Sequence, residues 1–306
     1  MKPFTRMIVA VLPLVVVASV AAAESDALAR LDEALKSVTG LEYGQDAAPW
    51  NVVEQIAVGS VSDPKLREEV EQRLLQVLDS NVSRDAKAFI CRQLFAMGTA
   101  RSVAKLEPLL TDPFLAHPAR YALGRIEGPE AVAALQRALA KTSGKLQIGV
   151  LATLGSRRCQ SAVPEIAKLT VSPDAAVAEA AAAALGNIRG AEAVRALDAA
   201  RPAAAAGPRR RIDDALMSCA DSLLAAGQTA EAVSIYTGLH AADRAPHVRI
   251  GALRGLVQAQ GDAAAALLAQ SIRGPDQAVR VAAIGLGRTA EGAEITKTLV
   301  DLLPDL

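Results

Sequence analysis

One spacing constrains this chain more than any other feature: an apolar residue followed by glycine returns every 31 residues, at Leu123-Gly124, Leu154-Gly155 and Leu185-Gly186. Eight residues past each glycine stands a valine (Val132, Val163, Val194), each behind an alanine. Three further on come Leu135, Ile166 and Leu197. A period of this length marks a repeat array, in which each unit buries its apolar face against its neighbours. Looser copies at Met97-Gly98, Ala226-Gly227, Gln260-Gly261 and Leu286-Gly287 extend the register.

Each unit reads as a pair of helices. Asp or Pro opens it, as in Thr111-Asp112-Pro113, Ser172-Pro173-Asp174 and Gly274-Pro275-Asp276, because such residues satisfy or spare the free N–H groups of a helix start. The first helix is expected over stretches such as 175–185 and 277–286, and the second over 130–140 and 192–199. Val132, Leu135 and Leu139 set one face of a second helix toward the core. The repeated glycine is expected to end the first helix in the left-handed conformation. Gly155 is therefore placed at a helix end, whereas Gly149 falls inside the same helix. At Gly149, alanine should be better by roughly 0.5–1 kcal/mol if there is room. The predicted fold class is all-α: an α-solenoid, a superhelix of antiparallel helix pairs, preceded by a signal peptide.

Pro275-Asp276-Gln277-Ala278-Val279-Arg280-Val281-Ala282-Ala283-Ile284-Gly285-Leu286-Gly287 resembles the first-helix pattern of the HEAT family, in the short variant found in bilin lyases and deoxyhypusine hydroxylase. His247-Val248-Arg249-Ile250-Gly251-Ala252-Leu253 is similar to a second instance. The likeness covers about residues 83–306 and implies a stack of repeats whose usual work is to offer a binding surface. Ala220 to Leu224, Gly227, Glu231-Ala232 and Tyr236 look more like a tetratricopeptide pair. Iron sites of the hydroxylase kind need His-Glu pairs, but His117, His240 and His247 are followed by Pro118, Ala241 and Val248. That activity is not carried over, and the resemblance adds no cofactor or metal.

The expected organisation runs from a signal peptide (1–23) through an N-terminal helical cap (24–82) to HEAT-like repeats (83–200). A loop or hinge follows (201–211, with Arg201-Pro202 and Gly207-Pro208), then the tetratricopeptide-like unit and further HEAT-like repeats (212–306). In the cap, helices are expected at 26–38, 49–58 and 65–78.

The leader has Lys2 and Arg6, an apolar run from Met7 to Val20, and Ala21-Ala22-Ala23 before Glu24. That three-part pattern predicts export to the periplasm or beyond, with cleavage after Ala23. No later stretch is long and apolar enough to span a bilayer. Losing Lys2 and Arg6 leaves 31 basic against 33 acidic residues, a net charge of −2. Such a chain has no global field for nucleic acid, and 3% aromatics offer few stacking platforms. Cys91, Cys159 and Cys219 fall in different repeats, so no disulfide is expected.

Two sets of surface residues are candidates. Arg125, Arg158, Arg189 and Arg288 recur near first-helix ends and would form an edge ridge, first as answers to the helix dipole and second as an anion surface. Glu130, Arg137, Glu165, Lys168, Glu192 and Arg195 lie on second helices, which line the concave face in related solenoids. Their mixed signs point to a protein partner rather than to nucleic acid or lipid. With no catalytic motif present, the chain is expected to be a non-enzyme, a binding scaffold of the cell envelope. The alternative is an accessory repeat domain of an exported enzyme, or a lyase-type HEAT-like enzyme.

Overall fold

The computed structural model describes residues 5–40, 44, 48–290 and 292–302, with the backbone alone for 5–21. Every regular element among them is helical. The apolar run of the expected leader therefore lies outside the described side chains, although its backbone continues as one helix, α1 (Thr5–Val38), through Ala23 and Glu24. Among the described residues no helix is long and apolar enough to cross a membrane.

The chain divides into two compact units, residues 1–153 and 154–306. In the first, α1 is followed by α2 (Ala48–Gly59), α3 (Pro64–Asp79), α4 (Arg84–Met97), α5 (Ala100–Leu106), α6 (Ala116–Arg125) and α7 (Pro129–Lys141). The unit boundary falls inside α8 (Gly144–Ser156). Helix α4 packs on α2 and α6, while α5 packs on α3 and α7, which sets first and second helices in separate rows. A buried carboxylate stitches the second row. Glu71 of α3, fully buried, accepts from the backbone N–H of Thr99 at 2.6 Å and from the Ser102 hydroxyl at 2.5 Å, so it satisfies donors at the start of α5.

The second unit contains α9 (Val163–Leu169), α10 (Ala175–Ile188), α11 (Gly190–Ala200), α12 (Ala206–Ala225), α13 (Thr229–Leu239), α14 (Pro246–Gln260), α15 (Ala265–Arg273), α16 (Gln277–Thr289) and α17 (Ala293–Leu302). Helices α10, α12, α14 and α16 pack in succession, with α9 and α11 on one stretch of that row and α15 and α17 on another. The aspartates open the helices as expected. Asp174 accepts from the N–H of Ala176 and Val177, and Asp276 from that of Ala278 and Val279. The repeated apolar columns are core: Leu123, Leu154, Leu185, Leu135, Ile166 and Leu197 are all fully buried.

The glycine column needs a correction. Gly155 and Gly186 do not end their helices; α8 runs on to Ser156 and α10 to Ile188. The left-handed residues are instead Arg158 (φ 52°) and Arg189 (φ 64°). What the column needs is the absence of a side chain. A Cβ at Gly155 would lie 3.0 Å from the Cα of Ala184, and one at Gly186 would lie 2.8 Å from the Cβ of Ala215. Successive first helices touch at these points. The left-handed reading holds later in the chain, at Gly227 (φ 76°) and Gly261 (φ 54°).

The stretch expected as a loop or hinge, 201–211, is also ordered differently. Arg201–Ala203 form a 3₁₀ turn, and after Ala204 and Ala205 the residues 206–211 open α12. Arg201 donates through Nε to Asp213 at 2.7 Å and through Nη1 to Asp243 at 2.8 Å. Arg244 also pairs with Asp213. A charged clasp thus fixes the segment that proline and alanine alone left open.

All three cysteines are free and buried. Burial pushes the Cys91 thiol up to about 12 and the Cys219 thiol up to about 11. Cys159 is also raised by burial, which outweighs the neighbouring Arg157. None is set up as a thiolate nucleophile.

Candidate functional site

The strongest constellation in the first unit lies on its first helices, α4, α6 and the start of α8. Helix α6 turns Ala116, Ala119, Ala122 and Leu123 inward. Its other face carries His117, Arg120, Tyr121 and Arg125. Asp112 positions that helix by accepting from the N–H of Phe114 at 2.7 Å and of Leu115 at 2.9 Å. The N–H of Leu115 is the larger cause that holds the Asp112 carboxyl below its ordinary value.

Arg120 is the centre of the site. It is half-buried, and Nη1 donates to the Thr153 hydroxyl at 3.0 Å. Nη2 lies 2.8 Å from Nδ1 of His117. A guanidinium only donates, so Nδ1 accepts and the imidazole proton sits on Nε2. Among the described residues no carboxylate pairs with Arg120, and burial alone lowers its pKa. Gly149 of α8 makes room for it, since a Cβ there would lie 2.8 Å from Arg120 Nε. The space that Gly149→Ala was expected to use is therefore taken. Arg120, His117 and Lys145 share the rim of a cavity of about 190 Å³, whose other walls are Leu110, Pro113, Ala116, Leu146, Gly149 and Val150. No acidic side chain lines it.

An aromatic strip runs alongside. Tyr121, half-exposed, stacks on Phe95 with ring centres 4.2 Å apart and planes 10° from parallel. The Arg125 guanidinium stands 5.5 Å over Phe95, and that of Arg84 stands 4.1 Å over Phe114, which is 62% exposed. In each of these pairs an exposed arginine covers one face of its ring. A chain with so few aromatics has gathered several of them on one face.

The residues named from the sequence are distributed otherwise. Glu130, Glu165, Lys168, Glu192 and Arg195 are exposed on α7, α9 and α11. Arg137 is already answered by Glu107, through Nε at 2.7 Å and Nη2 at 2.6 Å. Of the edge arginines, Arg125 sits on the Phe95 ring, and Arg288 lies in the last turn of α16. Arg158 is exposed, and Arg189 is half-buried with Nη1 donating to Ser222 at 2.7 Å. Sequence reasoning missed Arg120 and Tyr121. The signal available was His117, Arg120 and Tyr121 at i, i+3 and i+4, one helical face. Among the described residues no three His, Cys, Asp or Glu side chains gather as a metal site would require.

Fold and site together define an all-helical protein of packed helix pairs with a cationic and aromatic face. No protein-family model matches the chain, and no curated protein matches it. Solved structures do. Human deoxyhypusine hydroxylase is 18% identical, with 86% of this chain and 96% of that one covered, at a TM-score of 0.34. The complex of CpcE and CpcF of phycocyanin lyase from Nostoc is 15% identical, with 82% and 92% covered, at a TM-score of 0.37. Lipovitellin is 14% identical at a TM-score of 0.54, with 89% of this chain but 33% of that chain covered. Of these three, the lipovitellin likeness speaks to fold, and to fold alone. The expectation of a non-enzyme is withdrawn, a hydroxylase and a phycocyanin lyase being among the structures matched.

Proposed function

We propose that this chain is a holding surface of the cell envelope, which grips an acidic, extended segment of a protein partner on the α4–α6–α8 face of its first unit. It does so in the service of chemistry, as the accessory repeat domain of an exported enzyme or as a HEAT-like enzyme of the lyase type. The observation that carries this reading is Arg120, a half-buried cation without a carboxylate, set in a cavity that adds Lys145 and His117. Burying a charge is costly unless a counter-charge arrives, and an anionic ligand supplies one. The Tyr121–Phe95 stack offers the segment a flat apolar floor beside it. Stacked repeat pairs support the solenoid form that such a surface requires.

Fluorescence anisotropy with a labelled Glu-rich peptide and its Gln counterpart tests the grip. The Glu peptide is expected to bind, with affinity falling as salt rises. Arg120→Gln should weaken it by about tenfold or more. Gly149→Ala should weaken it too, by pushing the guanidinium aside, while α8 keeps its stability. Equal binding of the two peptides, or an indifferent Arg120→Gln, would sink the proposal.

The placement in the envelope rests on the leader pattern. N-terminal mass mapping of the exported protein should find Glu24 first. An intact Met1 on exported material would count against it.

A further inference from the structure

We propose that Thr153 is the positioning residue of the Arg120 site: its hydroxyl fixes the guanidinium in one orientation through a neutral contact and leaves the charge free for an anion. The inference rests on the anion grip proposed for that face. Thr153 lies on α8, one turn beyond Gly149, and is only 6% exposed. Its hydroxyl donates to the carbonyl oxygen of Gly149 at 3.2 Å. A hydroxyl has one hydrogen, and this one is spent, so toward Arg120 the oxygen only accepts. It does so from Nη1 at 3.0 Å. The methyl group of Thr153 packs over Gly124 of α6, 3.5 Å from where a Cβ would stand, and a β-branched side chain is stiff about χ1. Gly149 therefore serves the site twice. It makes room for the guanidinium, and its carbonyl aims the hydroxyl that orients it.

Other arginines of this chain are oriented and neutralised by the same partner, Arg137 by Glu107 and Arg201 by Asp213. At Arg120 the two are separated. Its acceptors are the Thr153 hydroxyl and, at 2.8 Å, Nδ1 of His117, and neither brings a negative charge. The two acceptors are not equivalent. His117 is exposed, so water can replace it. Thr153 is buried, and the guanidinium has no such substitute on that side. A carboxylate gains most from a guanidinium whose plane is already set, because two parallel bonds then form together. Setting that plane in advance also spares the side-chain ordering that binding would otherwise cost.

Thr153→Val keeps the shape and removes the oxygen, while Thr153→Ser keeps the oxygen and removes the methyl. With the labelled Glu-rich peptide, the valine variant should bind about tenfold more weakly than the parent. The serine variant should stay within about twofold of it. Nitrogen NMR of the isotope-labelled full chain, without peptide, reads the positioning directly. A guanidinium held at its ends turns slowly about its C–N bonds and shows separate Nη1 and Nη2 signals, which Arg120→Gln identifies by removing them. Those signals should merge in Thr153→Val and stay apart in Thr153→Ser. Merged signals in the parent would overturn the inference. So would unchanged peptide binding in Thr153→Val, or a serine variant as weak as the valine one. If the peptide binds neither parent nor variants while the signals still merge in Thr153→Val alone, the grip fails and the positioning stands.

Discussion

Replacing Gly155 by alanine is expected to destabilise the 154–306 unit, and replacing it by valine is expected to do so further. The added Cβ would meet backbone of Ala184, with the Cα at 3.0 Å and the carbonyl oxygen at 3.3 Å. Backbone cannot rotate away as a side-chain tip can, so the two first helices must separate. Overpacking of this kind costs typically about 1–3 kcal/mol. Asparagine separates this account from a left-handed helix end. At a left-handed position it is tolerated, whereas at a helix contact it is bulkier than alanine and should cost at least as much. Gly227→Asn is the control, since Gly227 has φ 76° and open space around its would-be Cβ. Urea denaturation of the full chain provides the comparison. Near-parental stability for Gly155→Asn, beside a costly Gly155→Ala, would restore the left-handed reading.

Asp213→Ala is expected to cost more. Asp213 is 5% exposed between Arg201 and Arg244, each 11% exposed. Removing it leaves the two buried guanidinium groups sharing Asp243, which is 64% exposed, and breaking a buried pair costs about 3–5 kcal/mol. By contrast, Arg137→Ala removes a pair whose arginine is 53% exposed. Such surface pairs contribute about 0–1 kcal/mol. Denaturant midpoints of the two variants should therefore differ clearly. A loss at Asp213 no larger than at Arg137 would mean that water reaches the clasp, and that 201–211 is free to act as the hinge its prolines suggested.

What the amino-acid sequence by itself determined is the local order of this protein. Helix starts at Asp174 and Asp276, the buried columns from Leu123 to Leu197, and the paired helices of each repeat follow from caps and periodicity. These are interactions within a few residues, so spacing along the chain reports them. Four features were decided only by the tertiary structure. Gly155 and Gly186 serve a neighbouring helix 29 residues away, and a glycine that makes space looks the same in sequence as one that makes a turn. Arg201 finds Asp213 and Asp243 across a turn that its own neighbours would leave loose. Arg120 is made half-buried and carboxylate-free by α8, which lies a full repeat further along. Ser271 looks like any serine on a helix until the packing of the second unit buries it and leaves its hydroxyl without a partner among the described residues. Burial and the lack of a counter-group depend on residues brought together from distant repeats, and local sequence does not report which ones meet.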